Sequence, residues 1–491
     1  MPSPLDHRDG PRDECGVFGI YAPGHDVARL AYFALFALQH RGQESAGIAA
    51  APREGNIIAV RDQGLVSQVF DEHTLGALVG DMAIGHVRYS TTGSSEWENA
   101  QPIVRDDHRT LALAHNGNLI NAVELHSELR GRDVPFRSTS DSEIIAALLA
   151  THPAERIEDA VADVLPRLKG AFSTVVMTEE AVVAFRDPNG VRPLAIGIIE
   201  PGEGSSAETV YCVASESCAF DLIGARYLRD VRPGEVVTLS AAGLSSRIVD
   251  DSQRHAFCIF EYIYFARPDT RMGGQRLQVS RAKMGELLWR EAPVDADLVI
   301  AIPDSGNAAA RGLARAAGLP QDDGFIKNRY VARTFIQPGQ QLRRNGLRLK
   351  FNPLPEVVAG KRLVVVDDSI VRGNTMPQIV KMLRDAGAAE IHLRISSPPI
   401  KHPCHYGIDM STREEMIAHG RTVDEIAAEL GADSLHYLSL EGVYEAVEGD
   451  RESHCDACFS GRYPLAGTEE AAGKYALEGS ELPLVGAQRM P

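Results

Sequence analysis

A short apolar run that ends in two carboxylates constrains the fold of this 491-residue chain more than any other feature. The run is Arg362–Val366, and Asp367 and Asp368 follow it directly, before a loop of small residues that ends at Thr375. Uninterrupted β-branched residues are typical of a buried parallel strand, and the following residues are typical of a strand-to-helix loop. Such loops lie at the carboxyl edge of an α/β sheet, where ligands bind. The segment therefore predicts a ligand site at that edge.

The side chains of this loop favour a phosphorylated sugar that binds together with a metal ion. Backbone N–H groups, the hydroxyls of Ser369 and Thr375 and the N-terminus of the following helix can hold a phosphate. The two aspartates suit sugar hydroxyls or a Mg²⁺ that keeps most of its waters. A Walker-B strand would also end in aspartates, but it needs a P-loop partner. Gly360-Lys361-Arg362 fits neither the spacing nor the ending of that motif.

The string from Asp367 to Thr375 resembles the phosphoribosyl-diphosphate (PRPP) loop of the type I phosphoribosyltransferases. The resemblance implies a set of PRPP-binding residues: Asp367, Asp368, Ser369, Ile370, Val371, Arg372, Gly373, Asn374, Thr375 and Lys327. It also implies one Mg²⁺ per subunit, held by Ser305, Asp367 and Asp368. The basic segment Lys327–Lys350 lies between two predicted strands. We interpret it as a lid that closes over the anionic substrate.

Charge and composition exclude several other classes of function. The net charge of −17 argues against nucleic acid as a partner, because phosphate backbones attract basic surfaces. No stretch approaches about eighteen consecutive apolar residues, so no membrane span is predicted. Met1–Glu14 is polar and charged without an apolar core, and it is therefore not a secretory signal. We expect a cytoplasmic protein whose seven cysteines form no structural disulfides.

One of these cysteines, Cys15, starts an apolar run and is followed by four motifs. Alone, a cysteine at the head of a strand is more often a small buried hydrophobe. The motifs are Gln39–Gly47, Gly85–Thr91, His115–Asn118 and Ser138–Glu143. In this order they resemble the glutamine-amidotransferase domain of the N-terminal-nucleophile hydrolases.

That resemblance implies that Met1–Glu14 is a propeptide and that Cys15 becomes the first residue of the mature chain. Its free α-amine, with a pKa of about 7.7–8.0, can then take the thiol proton near neutral pH. Nucleophile and base would lie in one residue. By the family pattern, the Asn116 side chain and the Gly117 N–H form the oxyanion hole, an important source of catalysis.

The same pattern assigns the residues that hold the substrate glutamine. Arg88 would pair with its carboxylate through the planar guanidinium, and Asp141 would hold its ammonium group. His86 and His115 are interpreted as structural, because the mechanism already has its base. As isolated residues, Arg88 and Asp141 would more simply be surface charges.

Four further cysteines lie in the second half of the chain: Cys258, Cys404, Cys455 and Cys458. Their spacing leaves open a redox pair, a zinc site or an iron–sulfur cluster. The flanking sequences Phe257–Glu261 and Pro403–Gly407 resemble the cluster-bearing class of glutamine PRPP amidotransferases. This resemblance implies that all four cysteines bind one [4Fe–4S] cluster. Cys212 and Cys218 are interpreted as core thiols without a ligand.

Two domains are predicted from the order of strand-like and helix-like segments. The first half mixes short strands and helices, which indicates an α+β domain, whereas the second alternates strand and helix around a parallel sheet. The resemblances imply a four-layer αββα glutaminase domain of the N-terminal-nucleophile type at 15–250. An α/β type I phosphoribosyltransferase domain with its cluster would follow at 251–465. Residues 1–14 would be the propeptide, and 466–491 are expected to form a poorly ordered tail.

Together the two halves resemble the glutamine PRPP amidotransferases over nearly all of residues 15–465. The implied reaction converts glutamine, PRPP and water to 5-phosphoribosylamine, glutamate and diphosphate, the entry step of purine synthesis. Purine nucleotides would be feedback inhibitors, and the family is commonly tetrameric. Other amidotransferases, such as hexosamine-phosphate synthase or asparagine synthetase, would not explain Asp367–Thr375. A non-catalytic PRPP-binding regulator would not explain the Cys15 motifs.

Overall fold

The structure, a computed structural model, describes residues 14–52, 55–89, 96–201, 208–328, 350–408, 410, 412–468 and 477. Residues 1–13 of the expected propeptide, residues 329–349 of the basic segment and nearly all of the expected tail beyond Thr468 lie outside the described residues. None of the helices in these ranges is long and apolar enough to cross a bilayer.

Two antiparallel sheets form the first domain. Their strands are β1 (Gly16–Tyr21), β2 (Ser45–Ala51), β3 (Ile58–Gln63), β4 (Met82–Arg88), β5 (Ile103–Asp106), β6 (Thr110–Leu119), β7 (Gly170–Met177), β8 (Ala181–Arg186), β9 (Ala195–Ile199), β10 (Val210–Ala214), β11 (Arg226–Asp230), β12 (Glu235–Ser240) and β13 (Gly243–Ile248). In the described part of this domain, one sheet has the order β11-β9-β10-β1-β4-β2-β3. The other has the order β13-β12-β8-β7-β6-β5.

Helices cover the outer face of each sheet, and the inner faces pack on each other. The helices of this domain are α1 (Val27–Ala37), α2 (Val66–Val69), α3 (Glu72–Ala77), α4 (Ala122–Arg130), α5 (Asp141–Ala150), α6 (Ile157–Val164) and α7 (Cys218–Leu222), with 3₁₀ turns at Trp97–Asn99 and Leu165–Arg167. One apolar core joins α1 and α7 to the first sheet, and another joins α4, α5 and α6 to the second. A third core fills the space between the sheets. The predicted four-layer αββα sandwich is confirmed.

A parallel sheet with helices on both faces forms the second domain. The strands are β14 (Phe257–Cys258), β15 (Arg271–Met272), β16 (Gln275–Arg276), β17 (Leu298–Ala301), β18 (Phe325–Lys327), β19 (Phe351–Pro353), β20 (Arg362–Asp367), β21 (Glu390–Ile395), β22 (Ser434–Tyr437) and β23 (His454–Cys455). The helices are α8 (Leu277–Glu291), α9 (Asn307–Ala317), α10 (Pro355–Val358), α11 (Met376–Asp385), α12 (Val423–Leu430), α13 (Leu440–Val447) and α14 (Ala457–Ser460), with a π-helix at Glu261–Phe265 and a 3₁₀ turn at Arg413–Glu415. The parallel strand order is β17-β20-β21-β22.

Both faces of strand β20 are buried, as its uninterrupted apolar sequence predicts. Val364 and Val366 join the core that contains α8 and α9, whereas Leu363 and Val365 join the core that contains α11 and α12. The strand runs one residue beyond the predicted Arg362–Val366, because Asp367 still pairs with Ile395 of β21.

Helix α1 is shorter than the sequence pattern indicates. A helix over Val27–His40 is expected, but α1 ends at Ala37. The chain then turns, with the Arg41 N–H donating to the Leu38 carbonyl at 2.9 Å. This turn brings Arg41 into the interior, where a continuing helix would not place it.

Leu393 tests the core of the parallel sheet. It is fully buried in β21, so Leu393→Ala should lower the free energy of unfolding by about 2–5 kcal/mol through lost burial and an unfilled cavity. The matched control is Leu222→Ala, since Leu222 is 51% exposed. Urea unfolding followed by fluorescence compares the two variants. Equal midpoints would contradict the described packing.

Candidate active site

The Cys15 thiol lies buried at the start of β1, the strand between β10 and β4. Its Sγ contacts the Tyr89 carbonyl at 3.3 Å. Burial raises the pKa of this thiol to about 11, so it is protonated near neutral pH. In the described chain the Cys15 nitrogen forms the peptide bond with Glu14. A nucleophile at this position therefore needs a nearby base.

Opposite charges lie close to Cys15. Strand pairing places Gly16, the first residue of β1, beside Val87, so the next residue of β4, Arg88, lies near the start of β1. The Arg88 charge lowers the pKa of the thiol, and the Asp141 charge raises it, although burial dominates. The structure thus brings together Cys15, Arg88 and Asp141, an arrangement that suits a substrate carrying both a carboxylate and an ammonium group.

Asp141 is held at the start of α5. Its Oδ2 accepts a hydrogen bond from the Leu119 N–H at 2.9 Å, and its Oδ1 lies 3.7 Å from His115 Nδ1. Burial lowers the pKa of His115 and lowers that of His86 to about 3. Both imidazoles are therefore neutral at neutral pH, in keeping with their interpretation as structural residues.

Asn116 and Gly117 lie in β6, which contacts β1 and β4 across the sandwich. The Asn116 amide is buried, and neither its oxygen nor its nitrogen has a hydrogen-bond partner among the described residues. Leaving such a group unpaired costs about 1–3 kcal/mol, so a ligand that pairs with it gains accordingly. Gly117 has φ +150°, and a Cβ there would lie 1.9 Å from the Ala171 carbonyl oxygen. Only glycine fits that position.

The buried guanidinium of Arg41, which the sequence patterns do not reveal, holds the backbone of Cys15 in place. Arg41 Nε donates to the Cys15 carbonyl at 3.0 Å. Its terminal nitrogens bind the carboxylates of Glu216 at 2.6 Å, Glu261 at 2.7 Å and Glu14 at 2.7 Å. Arg41 belongs to the recognised motif Gln39–Gly47, but its partners lie too far away in sequence for any local pattern to reveal them.

The two aspartates of the PRPP-like loop lie at the carboxyl end of β20. Asp367 Oδ1 accepts from the Asp368 N–H at 2.9 Å and from the Ser305 hydroxyl at 3.2 Å. Burial and then the Asp368 charge raise the pKa of Asp367 well above its usual value. A divalent cation would relieve this repulsion. Within the described ranges, no group of three or more His, Cys, Asp or Glu side chains is placed so that it could hold a metal ion. Two carboxylates and a hydroxyl suit Mg²⁺, which keeps several waters.

The rest of the loop is fixed by contacts to a neighbouring segment. The Val371 carbonyl accepts from the Ile417 N–H at 2.8 Å. Gly373 has φ +73°, and a Cβ there would lie 2.3 Å from Ile417 Cδ1. Helix α11 begins directly after Thr375, so its N-terminus faces the loop, as a phosphate site requires.

Lys327 lies at the same edge of the parallel sheet. Its ammonium group pairs with the carboxylate of Asp304, next to Ser305. The structure therefore brings Lys327, the Asp304-Ser305 turn and Asp367 together. Ser90 and Thr91 of the amidotransferase motif, and the basic residues from Arg329 to Arg348, lie outside the described residues.

The four cysteines of the second half also converge. Parallel pairing of β14 with β23 places Cys258 opposite Cys455. Burial raises the pKa of the Cys458 thiol, and proximity to Cys258, Cys455 and Cys404 raises it further. All four thiols are free. The four buried or half-buried sulfurs thus come from three separate stretches of the sequence and lie close in space.

Two family models match the chain in the order of its domains. The model of the glutamine amidotransferase domain matches residues 86–220. The model of the phosphoribosyl transferase domain matches residues 277–397.

Characterised relatives match nearly the whole chain. An amidophosphoribosyltransferase of Synechococcus elongatus is 51% identical over 95% of this chain and 94% of its own length. One from Bacillus subtilis is 46% identical over 93% of this chain and 95% of its own length. The chain belongs to the amidophosphoribosyltransferase family. It is therefore an enzyme that joins a glutamine amidotransferase domain to a phosphoribosyltransferase domain.

A solved member of the amidophosphoribosyltransferases has the same fold. The glutamine PRPP amidotransferase of B. subtilis, solved with ADP and GMP, superposes with a TM-score of 0.86 at 44% identity. The match covers 94% of this chain and all of that one.

Asp368 tests the acceptor site of this amidophosphoribosyltransferase. If Asp368 binds PRPP and its metal as the sequence predicts, Asp368→Asn should lower ammonia-dependent, Mg²⁺-dependent consumption of PRPP by about a hundredfold, because a buried carboxyl group of that site is lost. Asp424→Asn, a change of the same kind at an exposed position, should leave the rate unchanged. Diphosphate release measures both. Equal rates would contradict the assignment of the site.

Proposed function

We propose that Cys15 releases ammonia from glutamine and that this ammonia attacks PRPP held by the loop Asp367–Thr375. The overall reaction converts glutamine, PRPP and water to 5-phosphoribosylamine, glutamate and diphosphate, the first step of purine synthesis. One observation carries the proposal: a cysteine flanked by a buried arginine and a buried aspartate, beside a strand whose Asn116 amide has no partner among the described residues.

In the proposed first half-reaction, the mature N-terminus supplies the base. After removal of the propeptide, the Cys15 amine takes the thiol proton, and the thiolate attacks the glutamine amide carbon. Asn116 Nδ2 and the Gly117 N–H donate to the oxyanion that forms. The amine returns the proton to the leaving nitrogen, ammonia departs, and water hydrolyses the resulting thioester to glutamate.

The charges around Glu14 support removal of the propeptide Met1–Glu14. Glu14 pairs with both Arg41 and Arg192, while Glu216 and Glu261 share the same cluster. Three buried carboxylates thus face two guanidinium groups. Burial raises the pKa of Glu14 to about 8. Loss of Glu14 would remove a carboxyl whose charged form burial already disfavours, and would leave Glu216 and Glu261 with the two guanidiniums.

In the proposed second half-reaction, the loop holds PRPP by its 5-phosphate and ribose hydroxyls. Backbone N–H groups and the hydroxyls of Ser369 and Thr375 would bind the phosphate. Ser305, Asp367 and Asp368 would hold Mg²⁺, which stabilises the charge that develops on the departing diphosphate. Ammonia forms the new C–N bond as the C–O bond to diphosphate breaks.

We further propose that Cys258, Cys404, Cys455 and Cys458 bind a [4Fe–4S] cluster. Four convergent free thiols support this proposal, and the positive charge of Arg192 lies near Cys258 and Cys404, where it would offset negative thiolates.

Regulation by purine nucleotides is part of the proposal. One related structure is that of an allosteric regulatory enzyme of purine biosynthesis, and the B. subtilis enzyme was solved in complex with ADP and GMP. The cytoplasmic location stays a prediction. The tetrameric state stays a prediction.

Cys15→Ala separates the two half-reactions. The variant should lose glutamine-dependent product formation entirely and keep ammonia-dependent formation, because the PRPP site is intact. Cys212→Ala, which removes a buried thiol from β10 of the same sheet, should keep both activities.

Intact mass should show that active protein begins at Cys15. Activity in a chain that retains Met1–Glu14 would refute the α-amine as base.

The iron proposal has its own test. Purified protein should contain about four irons per chain and absorb broadly in the visible range, and Cys455→Ser should lower the iron content. Cys218→Ser, at a thiol outside the four, should leave iron unchanged. Stoichiometric zinc without iron would contradict the proposed cluster.

A further inference from the structure

The two domains touch directly at the strand that carries the oxyanion hole. Gly407 of the second domain packs on the backbone of Gly117, so that a Cβ at Gly407 would lie 3.1 Å from both the Gly117 Cα and its carbonyl carbon. Gly407 has φ +107°, a conformation that favours glycine. A side chain at Gly407 would therefore require Gly117 to move by a few tenths of an ångström.

A hydrogen bond fixes the same contact one residue further along. Asn118 Nδ2 donates to the His405 carbonyl at 2.9 Å, across the two domains. On its other edge, β6 pairs with β7, which places Gly117 opposite Phe172. The pairing of β5 with β6 covers only Thr110–Leu113 and ends before this point.

The segment His405–Gly407 is itself held firmly by the second domain. The hydroxyl of the buried Tyr406 forms a hydrogen bond with that of Thr468 at 2.7 Å. Tyr463 donates to the Pro403 carbonyl at 2.7 Å, and its ring packs on His405. A segment fixed in this way can hold Gly117 against displacement.

We infer that His405–Gly407 is a positioning element for the oxyanion hole: the second domain sets the position of the Gly117 N–H through Gly407 and Asn118. The inference rests on the proposed role of Gly117. An oxyanion donor must lie within hydrogen-bonding distance of the charge that develops, and displacements well below 1 Å reduce its effect. Gly407 and Asn118 act through Gly117 and need not touch the substrate.

Gly407→Ala is the direct test. The added methyl must push on Gly117, so kcat for glutamine hydrolysis should fall about tenfold or more, with KM within about twofold, approaching the about 10²–10³ lost with an oxyanion donor. Ammonia-dependent product formation and iron content should be unchanged. The matched control is Gly420→Ala in the same domain. Gly420 also has positive φ, at +71°, but a Cβ there would meet nothing within 4 Å.

An aldehyde analogue of glutamine supplies a readout that a general loss of stability would not change. The Cys15 thiol adds to this aldehyde and forms a tetrahedral oxyanion, so Gly407→Ala should weaken its binding by about the same factor as kcat. Binding of glutamate, which forms no such oxyanion, should stay unchanged. Asn118→Ala, which leaves the Gly407 backbone as it is, should show the same pattern and serves if Gly407→Ala fails to fold.

Several results would overturn the inference. Gly407→Ala and Asn118→Ala could match Gly420→Ala in kcat, or they could raise KM while kcat and aldehyde binding stay constant. Either result, with glutamine hydrolysis normal in the unaltered chain, would refute only the positioning role. An unaltered chain that hydrolyses no glutamine would refute the proposed function and the inference with it.

Discussion

The buried guanidinium of Arg41 is the interaction on which the rest of the arrangement depends. It binds the Cys15 carbonyl, a carboxylate of its own domain at Glu216 and a carboxylate of the second domain at Glu261. A charge without access to water is tolerated only when partners satisfy it, and removal of one partner typically costs several kcal/mol. Because the partners come from distant parts of the chain, their shared guanidinium fixes the nucleophile strand against the phosphoribosyltransferase domain. The candidate glutamine site and the candidate PRPP site are thereby held in a fixed relative position.

The same cluster connects the leader to the cysteines of the second domain. Glu14 occupies Arg192, whose charge also acts on Cys258 and Cys404. Removal of the propeptide would leave Arg192 beside those sulfurs without its Glu14 partner. The interface between the domains thus carries the proposed nucleophile, the proposed cluster and the buried charges that balance them.

The sequence predicts strand β20 and the position of the loop after it well, because that information is local. A strand, its terminal aspartates and the phosphate-binding turn follow one another between Arg362 and Thr375, and each has a recognisable composition. The four-layer sandwich was predicted from the family resemblance that the ordered motifs carry, whereas the strand and helix patterns alone indicate only an α+β domain. Local patterns do not predict the contacts of Arg41, since its partners Glu216 and Glu261 lie 175 and 220 residues away in sequence. The packing of Gly407 on Gly117 is similar: glycine is unremarkable in sequence, and only the fold shows what its missing side chain allows.

The central claim is that the ammonia released at Cys15 is the ammonia that attacks PRPP. Glutamine labelled with heavy nitrogen in its amide can be supplied with PRPP, Mg²⁺ and an excess of unlabelled ammonium salt, and the isotope content of the phosphoribosylamine measured after trapping. The account predicts product that carries mainly the glutamine nitrogen, with one glutamate and one diphosphate formed for each product. Product that carries the isotope ratio of the bulk solution, or glutamate release that does not depend on PRPP, would contradict it.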